Sequence, residues 1–98
     1  MKKLEFEWDD FKEKINIKKH GLDFSTAAHV FADEFRIEKY DEKHSQDEDR
    51  YIVIGEINGQ VTIITVVYTP RGDGNVIRLI SARCATKEEK EEYYNGNY

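Results

Sequence analysis

The sequence predicts an α+β domain in which helices pack on a small antiparallel sheet. Its clearest signal is a pair of β-branched runs that flank Asn58-Gly59. Asn-Gly is typical of a type I′ hairpin, because both turn residues need a positive φ. Helix-capping residues mark two further segments, one near each end of the chain. Strands joined by short turns pair antiparallel, and amphipathic helices then cover the sheet.

Length and composition predict one soluble, cytoplasmic domain over residues 1–98. A chain of 98 residues is too short for two independent cores. A single cysteine, Cys84, excludes an internal disulfide and a multi-cysteine metal site. The apolar stretches are too short to span a bilayer, and the short acidic N-terminus is unlike a signal peptide.

The N-terminal third predicts a strand and two helices. Residues 4–8 alternate apolar and acidic side chains, which is typical of an edge strand. Asp9 is a suitable N-cap for a helix that ends at Gly21, with Phe11 and Ile15 on its apolar face. Ser25 is the expected cap of a second, short helix over residues 26–31.

The rest of the chain predicts four strands and a final helix. Strands are expected over residues 34–40, 51–57, 61–68 and 76–84, with a charged loop over 41–49 and a glycine-rich loop over 70–74. The run 61–68 is apolar on both faces, so it should be the central strand. Thr86 and Glu89 form a capping box that begins the last helix.

The charge is unevenly distributed. The chain carries a net charge of −5, which excludes a uniformly basic nucleic-acid binder. Residues 61–87, however, hold four basic side chains and one acid: Arg71, Arg78, Arg83, Lys87 and Asp73. This pattern fits either a mixed, solubilising surface or a small anion site in the C-terminal half.

Arg83 is the best-placed candidate for an anion site. It lies at a strand end just before the helix cap at Thr86, where a guanidinium and backbone N–H groups can bind a phosphate together. The alternative is an ion pair with a carboxylate such as Glu48. Strand alternation places Arg78 and Arg83 on opposite faces unless a bulge intervenes.

His20 and Tyr93 are the candidates for proton transfer. His20 closes the first helix, where it can act as a general acid or base, or simply cap the helix. Of Tyr93 and Tyr94, one can pack on the sheet while the other faces solvent or a ligand. The three histidines match no zinc signature, so we expect no metal and no cofactor.

Several short motifs together resemble the BrnT-type toxins of type II toxin–antitoxin systems. They are Phe6-Glu7-Trp8-Asp9, Lys19-His20-Gly21 with Phe24, Ala27 and Val30-Phe31, Asp49-Arg50-Tyr51 with Gly55, Val67-Tyr68-Thr69 with Arg71, Ile80-Ser81-Ala82-Arg83 with Ala85-Thr86, and Glu89 with Tyr93. The resemblance covers nearly the whole chain, with the motifs in the expected order and spacing.

The resemblance implies a RelE-like ribonuclease fold and a metal-independent endoribonuclease that inhibits translation. It also implies a BrnA-type antitoxin as partner, RNA as substrate, and contact with DNA only through the antitoxin complex, without a membrane. The site residues on this interpretation are His20, Arg71, Arg83 and Tyr93 for catalysis, with Lys19, Arg78 and Glu48 for substrate binding.

A different class of function also fits the sequence. The chain could be a non-catalytic interaction module that acts only in complex with a DNA-binding antitoxin. The acidic regions and the edge strand expected at residues 4–8 would suit a basic or strand-adding partner. This alternative predicts tight complex formation without RNA turnover.

Overall fold

The computed structural model describes residues 3–57 and 62–96 and confirms the α+β fold. Within these ranges the strands are β1 (Glu5–Glu7), β2 (Ile37–Tyr40), β3 (Tyr51–Glu56), β4 (Ile63–Arg71) and β5 (Val76–Cys84). The helices are α1 (Asp10–His20), α2 (Phe24–Ala27) and α3 (Lys87–Gly96), with 3₁₀ turns at Ala28–Ala32 and Glu42–His44. The hairpin predicted at Asn58-Gly59 lies outside the described residues.

The strands form one sheet in the order β1-β5-β4-β3-β2. The predicted central position of β4 and the edge position of β1 are therefore confirmed. The sheet is mixed rather than fully antiparallel, because β1 runs parallel to β5. Only the pairs β2–β3, β3–β4 and β4–β5 are antiparallel. β1 meets a strand from the far end of the chain, so no short turn constrains its direction.

Each face of the sheet carries its own apolar cluster. The larger cluster joins the sheet to α2 and the 3₁₀ turn that follows it, through Phe24, Val30 and Phe31. The smaller cluster lies on the opposite face, where Ile54 and Ile63 contact Tyr93 of α3. Because α3 covers only part of its face, the remainder of that face is available for polar side chains.

A β-bulge in β5 changes which of its side chains face the core. Val67 pairs with Ser81 and Tyr68 pairs with Leu79, so Ile80 is the extra residue. Before the bulge, the side chains that face the larger cluster are the odd-numbered Ile77 and Leu79. After the bulge, the even-numbered Ala82 faces it. The strict alternation predicted for this strand is wrong beyond the bulge. As a result of the bulge, Arg78 and Arg83 lie on the same face of the sheet. Arg78 pairs with Thr69 of β4, and Arg83 pairs with Thr65.

Helix α1 has the predicted ends but not the predicted buried face. The Asp9 side chain accepts N–H bonds from Phe11 and Lys12, and Gly21 ends the helix at a φ of 69°. Phe11 and Ile15, however, are 69% and 42% exposed. The buried residue of the helix is polar: Asn16 is only 5% exposed.

Asn16 is buried because it completes the edge of β5. β1 pairs with β5 only over residues 76–78, which leaves the later part of that edge without a neighbouring strand. The Asn16 carboxamide takes this place, donating to the Ala82 carbonyl (2.9 Å) and accepting from the Ala82 N–H (3.1 Å). It also donates to the Leu22 carbonyl (2.9 Å). One side chain thus satisfies three backbone groups.

The other differences from the predicted boundaries also have local causes. α2 is capped by Asp23 rather than by Ser25, because the Asp23 carboxylate accepts the Thr26 N–H. β2 begins at Ile37 rather than at residue 34, since Asp33 holds the preceding turn through the Phe35 N–H. β4 extends through Pro70, which is tolerated because β3 pairs with β4 only as far as Tyr68.

The Asn16 bridge generates a stability prediction. We expect Asn16→Ala to lower the free energy of unfolding by about 3 kcal/mol, because it leaves buried backbone groups unpaired. Asn16→Asp should also destabilise the protein, since a carboxylate cannot donate to the two carbonyls. Urea denaturation followed by circular dichroism measures both changes.

Lys14→Ala is the matched control, because Lys14 is an exposed residue of the same helix. Its free energy of unfolding should remain within about 0.5 kcal/mol of the wild type. An Asn16→Ala variant as stable as Lys14→Ala would show that the bridge does not support the fold.

Candidate active site

Glu89 anchors the start of α3. Arg83 donates to both of its carboxylate oxygens, at 2.7 and 3.0 Å. The Thr65 hydroxyl and the Thr86 N–H also donate to Glu89, each at 2.9 Å. The predicted capping box is confirmed, because the Thr86 hydroxyl in turn accepts the Glu89 N–H. The carboxylate at this helix N-terminus is therefore supplied by the chain itself.

These contacts set the charges of the pair. Burial raises the pKa of Glu89, but hydrogen bonds from Arg83, Thr86 and Thr65 lower it more, to about 2. The hydrogen bond to Glu89 raises the pKa of Arg83. Both groups are thus charged at neutral pH. The sequence left Arg83 either an anion site or an ion pair with a carboxylate such as Glu48; the structure shows an ion pair, and its carboxylate is that of Glu89.

Tyr93 attaches α3 to the rest of the fold at a second point. Its hydroxyl donates to Asp33 (2.6 Å), and the same carboxylate accepts the N–H groups of Glu56 and Phe35. Burial and the hydrogen bond to Asp33 both raise the pKa of Tyr93. The hydroxyl is therefore protonated at neutral pH. As expected for one of the pair, Tyr93 is buried, while Tyr94 is exposed.

Arg71, Arg78 and Glu48 meet at the opposite end of this face. Arg78 lies 2.8 Å from Glu7 and Arg71 lies 3.9 Å from the same carboxylate. Arg71 also approaches Glu48 at 3.8 Å. The arginines form a partly exposed network in which Arg78 is hydrogen-bonded to Glu7, while Arg71 approaches Glu7 and Glu48 without a hydrogen bond. This network is several strand positions away from Arg83, since Thr65 and Thr69 mark the two ends.

Lys19 and His20 line a cavity on the outer side of the β5 bulge. The cavity has a volume of about 210 Å³. Its lining residues come from α1 and from the bulge: Lys12, Ile15, Asn16, Lys19, His20, Ile80 and Ser81. Lys12, Asn16, Lys19 and His20 are spaced to share one helix face. The Asn16 bridge therefore fixes three basic or titratable side chains beside Ser81.

A second cavity, of about 180 Å³, lies on the other side of the same bulge. It is lined by Asp41, His44, Arg50, Val67, Ile80 and Ser81, so the two cavities share Ile80 and Ser81. We call the two cavities and the bulge between them the bulge groove. Asp41, His44 and Arg50 were not predicted as site residues. The available signal was Asp41-x-x-His44 in the charged loop, which a 3₁₀ turn brings together.

A larger cavity elsewhere in the described residues is a poorer candidate. It has a volume of about 610 Å³ and lies between β1 and α2. Its lining is mainly apolar and includes Leu4, Phe6, Trp8 and Phe31. Lys3 and His29 are its titratable side chains. A phosphodiester needs several cationic or donor groups, and the bulge groove provides more of them.

The structure thus distributes the predicted site residues over three places. Arg83 and Tyr93 contact α3 and its anchors, Arg71, Arg78 and Glu48 form the arginine network, and Lys19 and His20 line the bulge groove. Among residues 3–57 and 62–96, no group of three or more His, Cys, Asp or Glu side chains could hold a metal ion. None of the helices in these ranges has the length and apolar character to cross a membrane.

Comparison with known proteins gives one family match. A family model described as the ribonuclease toxin BrnT of a type II toxin–antitoxin system matches residues 8–89. The match includes α1, both halves of the bulge groove and Glu89. No curated protein matches the chain.

The Glu89 anchor predicts an acid-sensitive stability. Because the pKa of Glu89 falls from 4.5 to about 2 on folding, its contribution is complete above pH 4.5 and is lost as the pH falls towards 2. We expect Glu89→Gln to unfold more easily at pH 7 and to show a shallower loss of stability below pH 4.5. Urea midpoints measured at several pH values test this. Parallel pH curves for the two proteins would contradict the proposed anchor.

Proposed function

The chain belongs to the BrnT family of ribonuclease toxins of type II toxin–antitoxin systems, and we propose that it cleaves RNA at the bulge groove without a metal ion. Its substrate is RNA and its partner is an antitoxin protein. The family match supports the enzyme over the non-catalytic interaction module. The observation that carries the proposed location is the convergence of Lys12, Lys19 and His20 beside Ser81.

The proposed reaction uses the 2′-hydroxyl of the RNA as nucleophile. His20 accepts the proton of this hydroxyl while the oxygen attacks the adjacent phosphorus. Lys19 lies next to His20 on the same helix face and stabilises the extra negative charge that the phosphate develops. Both side chains are exposed, so an RNA strand can reach them without a change of fold.

Arg71, Arg78 and Glu48 extend this surface along the sheet. We assign the two arginines to the flanking phosphates, because a ribonuclease needs contacts on both sides of the cleaved bond. The contacts of Arg71 with Glu7 and Glu48 are long, at 3.9 and 3.8 Å, and can be exchanged for contacts with phosphate, whereas Arg78 would first have to release its 2.8 Å hydrogen bond to Glu7. Glu48 then limits the positive charge of the network when no RNA is bound.

Arg83 and Tyr93 remain proposed catalytic residues whose contacts also hold α3 in place. Arg83 could stabilise the transition state only with the donors that Glu89 leaves available, and Tyr93 could donate its proton only by leaving Asp33. A variant of either residue can therefore lose activity because a group that contacts the substrate is missing or because α3 is no longer held in place. For Arg83, a comparison of Arg83→Ala with Glu89→Gln separates these two causes.

We assign the antitoxin to the BrnA type, with a DNA-binding domain of its own. In this arrangement the toxin contacts DNA only through the complex and inhibits translation in the cytoplasm once the antitoxin is removed. The net charge of −5 fits an arrangement in which the antitoxin contacts DNA, because an acidic toxin binds DNA poorly by itself.

The first prediction concerns His20. Wild-type protein should cleave a single-stranded RNA in the presence of EDTA, and His20→Gln should reduce the rate about 100-fold. His29→Gln is the matched control, since His29 lines the apolar cavity between β1 and α2. Gel analysis of 5′-labelled RNA measures the rates. Cleavage that stops in EDTA would contradict the metal-independent mechanism, and an active His20→Gln would remove His20 from it.

The second prediction compares Arg83→Ala with Glu89→Gln. Both variants break the same ion pair, but only Arg83→Ala removes the guanidinium. If Arg83 contacts the substrate, Arg83→Ala loses cleavage while a folded Glu89→Gln keeps most of it. Equal losses would show that Arg83 acts only by holding α3. Circular dichroism and urea midpoints establish that both proteins are folded.

A further inference from the structure

The loop between β2 and β3 holds a histidine–carboxylate pair. Nδ1 of His44 lies 3.0 and 3.2 Å from the two carboxylate oxygens of Asp41. Asp41 is only 8% exposed, whereas the His44 side chain is 59% exposed. Asp41 therefore orients the imidazole from the interior and leaves proton transfer to Nε2.

This loop is closed by its own hydrogen bonds. The Asp41 N–H donates to the Arg50 carbonyl (2.8 Å). The Ser45 hydroxyl donates to the Asp41 carbonyl (2.6 Å) and accepts the Arg50 N–H (2.9 Å). The backbone of Arg50 is thus held against the Asp41–His44 turn before any substrate binds, and such preorganisation favours catalysis.

Arg50 has unused capacity to bind an anion. Its Nε is buried and donates no hydrogen bond within the part of the chain that the structure describes. The closest carboxylate, Glu48, lies 3.6 Å away, which is too long for a hydrogen bond. The guanidinium lines the same cavity as His44 and Ser81. A phosphate in this cavity would be an additional acceptor for the guanidinium.

His44 and His20 reach the bulge groove from opposite sides. Each lines one of the two cavities, and the cavities share Ile80 and Ser81. RNA cleavage by the 2′-hydroxyl proceeds in line, so the group that takes a proton and the group that gives one must lie on opposite sides of the phosphorus. His20 and His44 line cavities on either side of Ile80 and Ser81, and an RNA strand that crosses these two residues would have one histidine on each side.

We propose that His44 is the general acid of this ribonuclease, that Asp41 positions it, and that Arg50 binds the scissile phosphate; this rests on the proposed function. The 2′-oxygen forms a bond to phosphorus as its proton passes to His20. The bond from phosphorus to the 5′-oxygen breaks, and protonated His44 gives its proton to that oxygen. The products are a 2′,3′-cyclic phosphate and a 5′-hydroxyl end.

The surroundings of His44 suit this role. The charged side chains that line its two cavities are Asp41, Lys43, Asp47, Glu48 and Arg50. From β4 and β5 the facing residues are Val67, Ile80 and Ser81, which do not titrate near neutral pH. His44 is the histidine with a carboxylate partner, since Nδ1 contacts Asp41, whereas His20 follows Lys18 and Lys19 at the end of α1. We therefore assign the acid to His44 and the base to His20.

The test compares two substrates that differ in their need for an acid. One is a short RNA, and the other is uridine 3′-(4-nitrophenyl phosphate), whose leaving group departs without protonation. We expect the His44→Gln variant to cleave RNA about 100-fold more slowly than the wild type, or slower still. The same variant should cleave the nitrophenyl ester at nearly the wild-type rate. His20→Gln and Arg50→Gln should lose activity on both substrates.

Asp41→Asn tests the positioning role. The Asp41→Asn variant should lose less RNA cleavage than the His44→Gln variant does. It should also shift, along the pH axis, the limb of the pH–rate profile that is absent in His44→Gln. His29→Gln should match the wild type on both substrates. Thermal unfolding shows that each variant is folded.

The possible outcomes separate the inference from the proposed function. Wild-type cleavage of RNA that His44→Gln leaves unchanged overturns the inference alone. Equal losses by His44→Gln on the two substrates also overturn it, because a structural defect does not depend on the leaving group. A wild-type protein that cleaves neither substrate overturns the proposed function, and the inference with it.

Discussion

The bridge from Asn16 to Ala82 is the constraint on which the rest of the site depends. A strand edge that has lost its neighbour must be covered, and here one carboxamide covers it with bonds of 2.9 and 3.1 Å. Helix α1 is attached through polar side chains rather than through an apolar face: Asn16 bonds to Ala82, and Glu13 accepts the Phe24 N–H (2.9 Å). Asn16, the buried one of the two, sets how the helix faces β5. Lys19 and His20, one turn later, are therefore directed to the β5 bulge.

The bulge at Ile80 is the second constraint. One extra residue turns Arg83 to the face that already carries Arg78 and opens a space on each side of Ser81. Without it, strict alternation would place the two arginines on opposite faces. The candidate site is thus formed by an irregularity of the sheet, and the helix and the charged loop supply the chemistry on either side.

The arginines of the basic segment are paired with glutamates in the folded protein. Glu89 neutralises Arg83, and Glu7 and Glu48 approach Arg78 and Arg71. The arginines that give residues 61–87 their positive charge therefore have carboxylate partners in the folded protein. The groups best placed to bind an additional phosphate lie elsewhere, on α1 and beside the Asp41–His44 pair, which explains why charge counting alone did not find the whole site.

The sequence by itself determined the two ends of α1, the presence of the four later strands and the capping box of Thr86 and Glu89, because these depend on residues within about one helical turn or one strand of each other. It also placed Lys19 and His20 correctly at the end of α1. Only the tertiary structure decided that β1 runs parallel to β5, that Asn16 rather than Phe11 is buried, that Arg83 pairs with Glu89 and that His44 faces the same bulge as His20. Each of these depends on which distant backbone group or side chain is nearest after folding, and local propensity carries no information about that distance.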